Sequence, residues 1–240
     1  MNTLVEHTIK SFERACVHES NIAKEALRLK GMTGLATRHF YNNLCSLEGA
    51  RYLEIGTWKG SSVCSAISNN KTRTVCIDDF SEFNKSSSNN LIPYRTVNEV
   101  KKQLTANINH FKGDNDITFI ESNCWDVDPS GFRIKFNIYV YDGCHDEVSH
   151  FRALNHFEEC LDDEFIYIVD DWNRSKIQRG TFKSIAKNGM EILFKKEITY
   201  NGTQIRQQDS DPHDQENVTE MIVDGWWNGI GIFVLKKNEA

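Results

Sequence analysis

The chain is poor in proline, with three in 240 residues, at positions 93, 129 and 212. Neither these nor any Gly/Ser-rich stretch marks a linker, so the sequence points to one compact unit. No apolar run approaches the roughly 18 residues that would span a bilayer. An excess of positive charge is lacking as well. Lys and Arg number 28 against 34 Asp and Glu, a net charge of −6. A nucleic-acid partner is therefore not expected, because phosphate neutralisation wants a basic face. No CxxC pair occurs among the seven cysteines at 16, 45, 64, 76, 124, 144 and 160. That odd count argues against a disulfide scaffold or a thiolate zinc site, and suggests free thiols in a reducing cytoplasm. The opening stretch MNTLVEHTIKSFERAC carries Glu6 and Glu13 and no long apolar core, so no signal peptide is expected.

What is present reads as a soluble globular protein, with 39% hydrophobic and 26% charged residues. Between residues 4 and 30, Leu4, Ile9, Phe12, Cys16, Ile22, Ala26 and Leu29 fall at roughly helical spacing. Gly31 and Gly34 interrupt the pattern, and 35–47 suggests a second helix. Residues 1–48 are thus expected to form a helical segment packed on a core domain, 49–240. From there the period shortens. RYLEIG (51–56), RTVCID (73–78), ITFIES (117–122), KFNIYVYD (135–142) and EFIYIVDD (164–171) are apolar on both faces, as strands covered on two sides should be. Helices are expected at about 60–69, 94–110 and 147–161. The last has an apolar stripe of Val148, Phe151, Leu154, Phe157 and Leu161. The strand-like segments 191–200 and 229–237 are expected to pair antiparallel. Between them a polar stretch, 201–219, reads as a solvated loop, with a lid as the alternative. The fold class is α/β: a doubly wound, mostly parallel, seven-stranded sheet with N-terminal helices and a C-terminal antiparallel strand pair.

Ligands of open α/β sheets bind at the carboxyl ends of strands. The first such end is YLEIGTWKGSS (52–62). Gly56 closes the strand and Gly60 opens the helix, and Ser61 and Ser62 offer amides to an anionic group. Trp58 stands where the second glycine of a dinucleotide fingerprint would be, so a nicotinamide cofactor fits poorly. A plain strand-to-helix turn is the simpler reading of this motif alone. Glu54 could face a ligand ammonium, and Asp78, ending the second strand, could accept from two ribose hydroxyls.

The ExGxxxG loop followed by Asp78 resembles the AdoMet site of class I, Rossmann-like methyltransferases. Trp58 departs from their usual GxGxG, a departure shared with a sub-group of sugar and macrocin-type O-methyltransferases; the resemblance covers about residues 35–190. It implies Glu54, Gly56 and Gly60 around the methionine end of AdoMet, with Thr57, Ser61 and Ser62 in the same loop. It implies Asp78 on the ribose, and the turn Ser122-Asn123-Cys124-Trp125 beside the adenine. Asp142 is assigned to both the cofactor site and the chemistry.

The fourth and fifth strands end in YVYDGCHDE (139–147) and YIVDDWN (167–173). Asp142, Asp170 and Asp171 would then crowd neighbouring strand tips, and a hard divalent cation such as Mg²⁺ is the economical counter-charge. His145 is the candidate base, because a histidine near pH 7 can accept a hydroxyl proton. Each residue also has a simpler reading, as a helix cap, a turn or a surface histidine. The resemblance implies the same set: in metal-dependent sugar O-methyltransferases, an Asp-x-x-His and an Asp-Asp pair follow these two strands. The sequence therefore predicts methyl transfer from AdoMet to a hydroxyl of a small-molecule or glycan acceptor with vicinal hydroxyls. A metal-independent methyltransferase and a non-catalytic binding module of the same fold remain alternatives. Arg38 and His39 are candidates to reach over the AdoMet site. Trp172 and Asn173 are placed in an acceptor pocket or in the core. Trp226 and Trp227 suit a core, a sugar platform or a homo-oligomer contact.

Overall fold

The computed structural model describes residues 3–81, 97–199 and 225–238, so the polar stretch 201–219 lies outside the described residues. Three helices come first: α1 (Thr3–Cys16), α2 (Lys24–Leu27) and α3 (Leu35–Cys45). Then follow β1 (Arg51–Ile55), α4 (Ser61–Ile67), β2 (Arg73–Asp78), α5 (Val97–Phe111), β3 (Asp116–Glu121), β4 (Phe136–Tyr141) and α6 (Glu147–Phe157). The chain continues through β5 (Leu161–Asp170), α7 (Ser175–Lys187), β6 (Glu191–Ile198) and β7 (Ile230–Lys236). No described helix is long and apolar enough to cross a membrane.

The strands form one sheet in the order β3-β2-β1-β4-β5-β7-β6. From β3 to β5 every pairing is parallel. β7 runs antiparallel to both neighbours, Ile166 facing Val234 on one side and Lys196 facing Ile232 on the other. The expected C-terminal pair is therefore present, with β7 inserted between β5 and β6.

Side-chain alternation along the strands builds two cores. Tyr52, Cys76, Ile138, Val140, Ile166 and Ile168 pack with residues of α1, α3, α4 and α5. Leu53, Ile55, Tyr139, Tyr141, Tyr167 and Val169 pack with α6 and α7 on the other face.

Three local expectations are corrected. β3 is an edge strand, and its side chains are exposed or half-buried rather than covered on both faces. The helix expected to reach 161 ends at Phe157, and Leu161 begins β5. Its buried face is His150, Ala153, Leu154 and Phe157, while Val148 is 65% exposed. Likewise, the periodicity from 4 to 30 is not one helix. α1 stops at Cys16, and His18 adopts a left-handed backbone (φ 55°) before α2.

Candidate active site

The chain order reverses between β1 and β4, which opens a crevice at their carboxyl ends. Gly56 (φ 90°) follows β1 there, and a Cβ on it would lie 1.9 Å from the Asp142 carbonyl oxygen. Only glycine lets the two strand-end loops touch. Trp58 is also left-handed (φ 44°), a conformation that a bulky residue adopts at a cost. Its amide donates to Asp78 Oδ2 at 2.6 Å, and the Phe80 amide donates to Oδ1 at 2.7 Å. Asp78 thereby fixes the loop and leaves each carboxylate oxygen a further lone pair. Burial is the main cause that raises its pKa.

The resulting cleft has a volume of about 200 Å³. Gly56, Thr57, Ser61, Ser62, Asp78, Asn123, Cys124, Trp125 and Asp142 all line it. Gly60 instead supplies the left-handed cap before α4 (φ 83°). At the far end Asn123 Oδ1 accepts from the Trp125 amide at 3.0 Å. The Trp125 ring lies under the Arg152 guanidinium, 4.3 Å from its centroid, with the His156 ring edge-on at 5.6 Å. An aromatic plane held from behind in this way suits a flat heterocycle.

Glu54 does not line this cleft. It is fully buried behind Ser62, accepting from Tyr52 Oη and from Ser62 Oγ at 2.8 Å. Burial pushes its carboxyl up to about 7, against the lowering effect of these bonds. Glu54 faces a second, tightly packed space with no room for a water-sized group, together with Asp142, Asp170, Thr37, Tyr41 and Trp227. Met32, Thr33, Ser62 and Asp142 line both spaces, so the two adjoin.

The four residues expected at the ends of β4 and β5 divide into two groups. Asp142 and half-buried Asp170 share the small pocket. Burial raises the Asp170 pKa well above the usual carboxylate range, and the charges of Asp142 and Asp171 add to the effect. Asp171 is turned elsewhere. It is buried, left-handed (φ 54°), accepts from Asn228 Nδ2 at 2.7 Å and pairs with Arg174 Nη2 at 3.3 Å. His145 lines the cleft, and its Nε2 sits 3.6 Å from Asp142 Oδ1 and 3.4 Å from Asp171 Oδ2, without a hydrogen bond to either. The three aspartates thus do not converge as one ligand set, and among the described residues no group of three His, Cys, Asp or Glu side chains could hold a metal. The space that Asp142 and Asp170 share is too tight for a hydrated Mg²⁺, and of the two only Asp142 also reaches the open cleft.

Other expectations resolve clearly. Trp172 belongs to the core, packed against Phe182 and Phe233. Trp226 stacks on Phe12 at 5.3 Å and meets Phe40 edge-on, tying the C-terminal turn to the N-terminal helices. Arg38 does not reach over the cleft but is wholly buried, and His39 bonds Ser20 Oγ at 2.8 Å. Sequence reasoning missed Met32 and Thr33 as cleft residues. Their only local signal is the Gly31 and Gly34 pair, and sequence spacing does not reveal which strand end a loop 20 residues upstream will cover.

No protein-family model matches the chain, and no curated protein matches it in sequence. Solved structures do resemble it. An O-methyltransferase from Bacillus cereus, in complex with SAH, superposes with a TM-score of 0.50 at 12% identity, over 98% of this chain and 92% of that one. A Klebsiella pneumoniae protein provisionally described as an O-methyltransferase gives 0.50 at 13% identity, over 100% and 91%. A Streptococcus mutans protein provisionally described as a SAM-dependent methyltransferase gives 0.51 at 11% identity, over 83% of this chain. The present chain spans only 47% of that last protein's length. Taken with the strand order and the antiparallel β7, these likenesses establish that the chain has the class I methyltransferase fold.

Proposed function

We propose that the chain is an AdoMet-dependent O-methyltransferase acting on a hydroxyl of a sugar or glycoconjugate with vicinal hydroxyls. One observation carries the reading: the open cleft between Gly56, Asp78 and Trp125 is bordered by a closely packed acidic cluster, and Asp142 belongs to both. AdoMet, when bound, supplies an electrophilic methyl on a positively charged sulfur. Asp78 accepts from the ribose hydroxyls, and Trp125 offers its ring to the adenine. The Asp142 carboxylate favours a cationic ligand beside it, and such a ligand would in turn favour ionisation of Glu54 and Asp170, whose charged forms burial disfavours. His145, held between Asp142 and Asp171, takes the acceptor proton. A Mg²⁺ ion would be held through Asp142 at the cleft and would supply charge that makes a neighbouring hydroxyl more acidic. The Arg174 contact to Asp171 favours a second reading, in which this guanidinium balances the acidic cluster and no metal is needed. Methylation that survives a chelator would select it.

Titrating AdoMet calorimetrically into the purified protein tests the cofactor. Micromolar binding is expected; no heat at several temperatures, together with no thermal stabilisation, would leave a non-catalytic module of this fold. His145→Ala is expected to lower turnover by about 10²- to 10⁴-fold with AdoMet affinity nearly unchanged. Normal turnover in that variant removes His145 as the base.

A further inference from the structure

Met32 and Thr33 form part of the cleft wall, although residues 28–34, between α2 and α3, have no regular secondary structure. A single buried side chain organises this stretch. Arg38, 0% exposed, donates only to main-chain carbonyls: Nε to Thr33 O at 2.9 Å, Nη1 to Ala26 O at 2.9 Å and Leu27 O at 3.4 Å, and Nη2 to Leu29 O at 2.8 Å. No acidic side chain bonds it among the described residues. Burying a guanidinium without a carboxylate is costly, and the arrangement offsets that cost by pairing carbonyls at a helix end and in a loop; of the four, Ala26 O also accepts from the Leu29 amide at 3.3 Å. A planar fork reaches several acceptors at fixed angles, which an ammonium cannot do.

The clamped stretch docks on the cofactor loop at two points. Thr33 Oγ1 and Ser61 Oγ are hydrogen-bonded at 2.9 Å. Gly31 lies against the same serine, since a Cβ there would stand 2.1 Å from Ser61 Oγ. Met32 and Thr33 then border both the cofactor cleft and the acidic pocket, at the junction where donor and acceptor must meet.

We propose that Arg38 is a positioning residue: through the clamped stretch 29–33 it sets the wall shared by the methyl-donor cleft and the acceptor pocket. The N-terminal segment is accordingly part of the active site, not an appendage packed behind it. The inference rests on the AdoMet reading above.

The test compares the whole wild-type chain with Arg38→Lys and Thr33→Val, by AdoMet calorimetry, thermal melting and amide hydrogen exchange. Arg38→Lys is expected to weaken AdoMet at least about tenfold and to speed exchange at 29–33 while β1 and β4 stay protected. Thr33→Val, which leaves the clamp intact and removes only the hydroxyl contact to Ser61, is expected to weaken AdoMet about fivefold at an unchanged melting temperature. Affinity lost only in proportion to unfolded protein in Arg38→Lys, or unaltered in Thr33→Val, overturns the proposal. Should Arg38→Lys fail to fold, Arg38→Gln, which keeps two amide donors, takes its place in the same measurements. A wild type that binds no AdoMet would refute the functional reading instead. Exchange at 29–33 would then still judge the clamp, which fails if Arg38→Lys leaves that stretch protected.

Discussion

Asp170→Asn is expected to lower methyl transfer by about 10²- to 10³-fold, the loss typical when one charge aimed at a reacting centre is removed. AdoMet affinity should stay within about threefold of wild type, because Asp170 faces the acidic pocket and not the cofactor cleft. The folded protein should not suffer. Asp142 and Asp171 both raise the Asp170 pKa, so neutralising this side chain relieves repulsion. Steady-state kinetics at saturating AdoMet, set beside calorimetry and a thermal melt, separate these effects. Turnover equal to wild type would show that the acidic pocket takes no part in the reaction. A loss of turnover and of AdoMet binding in parallel would mean that the two spaces are one site with a single occupant.

A second variant should trade stability against function as pH changes. The Glu54 carboxyl titrates near 7 in the folded chain against an ordinary 4.5. Between those values the folded state keeps a proton that the unfolded state has released, so stability falls as pH rises through the window. The full gap corresponds to about 3 kcal/mol at most. Glu54→Gln removes the titration, and the hydroxyls of Tyr52 and Ser62 can rotate to meet the amide. The variant should therefore melt several degrees above wild type at pH 8, at about 2–4 °C per kcal/mol, and show little gain at pH 5. A melting temperature at pH 8 below that of wild type would show that the burial penalty has been misjudged.

The class of fold was legible because five strand segments are apolar on both faces, a pattern that suits strands covered on two sides and that holds for four of the five here. Two of the errors share a cause. In β3 the apolar residues suggest cover, but the edge position is set by topology rather than composition. Val148 falls on the periodic stripe of α6, yet His150 is on the buried face and Val148 is not, because the helix is anchored by its neighbours. Gly180 of α7 approaches so closely that a Cβ there would lie 2.9 Å from the His150 Cβ. Most of the cofactor cleft could be read because its residues follow strand ends directly. The role of Asp171 could not, since its partner Asn228 comes 57 residues later and meets it only once β7 is paired with β5. Arg38 misled for a similar reason: a charged residue near a site suggests a ligand contact, whereas here its acceptors are main-chain carbonyls 5 to 12 residues upstream.

The placement of β7 also governs how the molecule can be made. Among the described residues the strand that joins β5 to β6 follows both in sequence, so during synthesis their facing edges lack this partner until more than 30 residues after β6 have emerged. An unpaired edge such as β5, with Phe165, Ile166, Tyr167, Ile168 and Val169 in succession, is a template for pairing with another chain. The nascent protein thus passes through a stage in which its sheet is split in two, and insertion of residues 230–236 is a late, long-range step of the slow kind. Chaperone demand and inclusion-body formation should concentrate in that interval, whereas the seven described strands, once paired, end in the half-exposed edges β3 and β6.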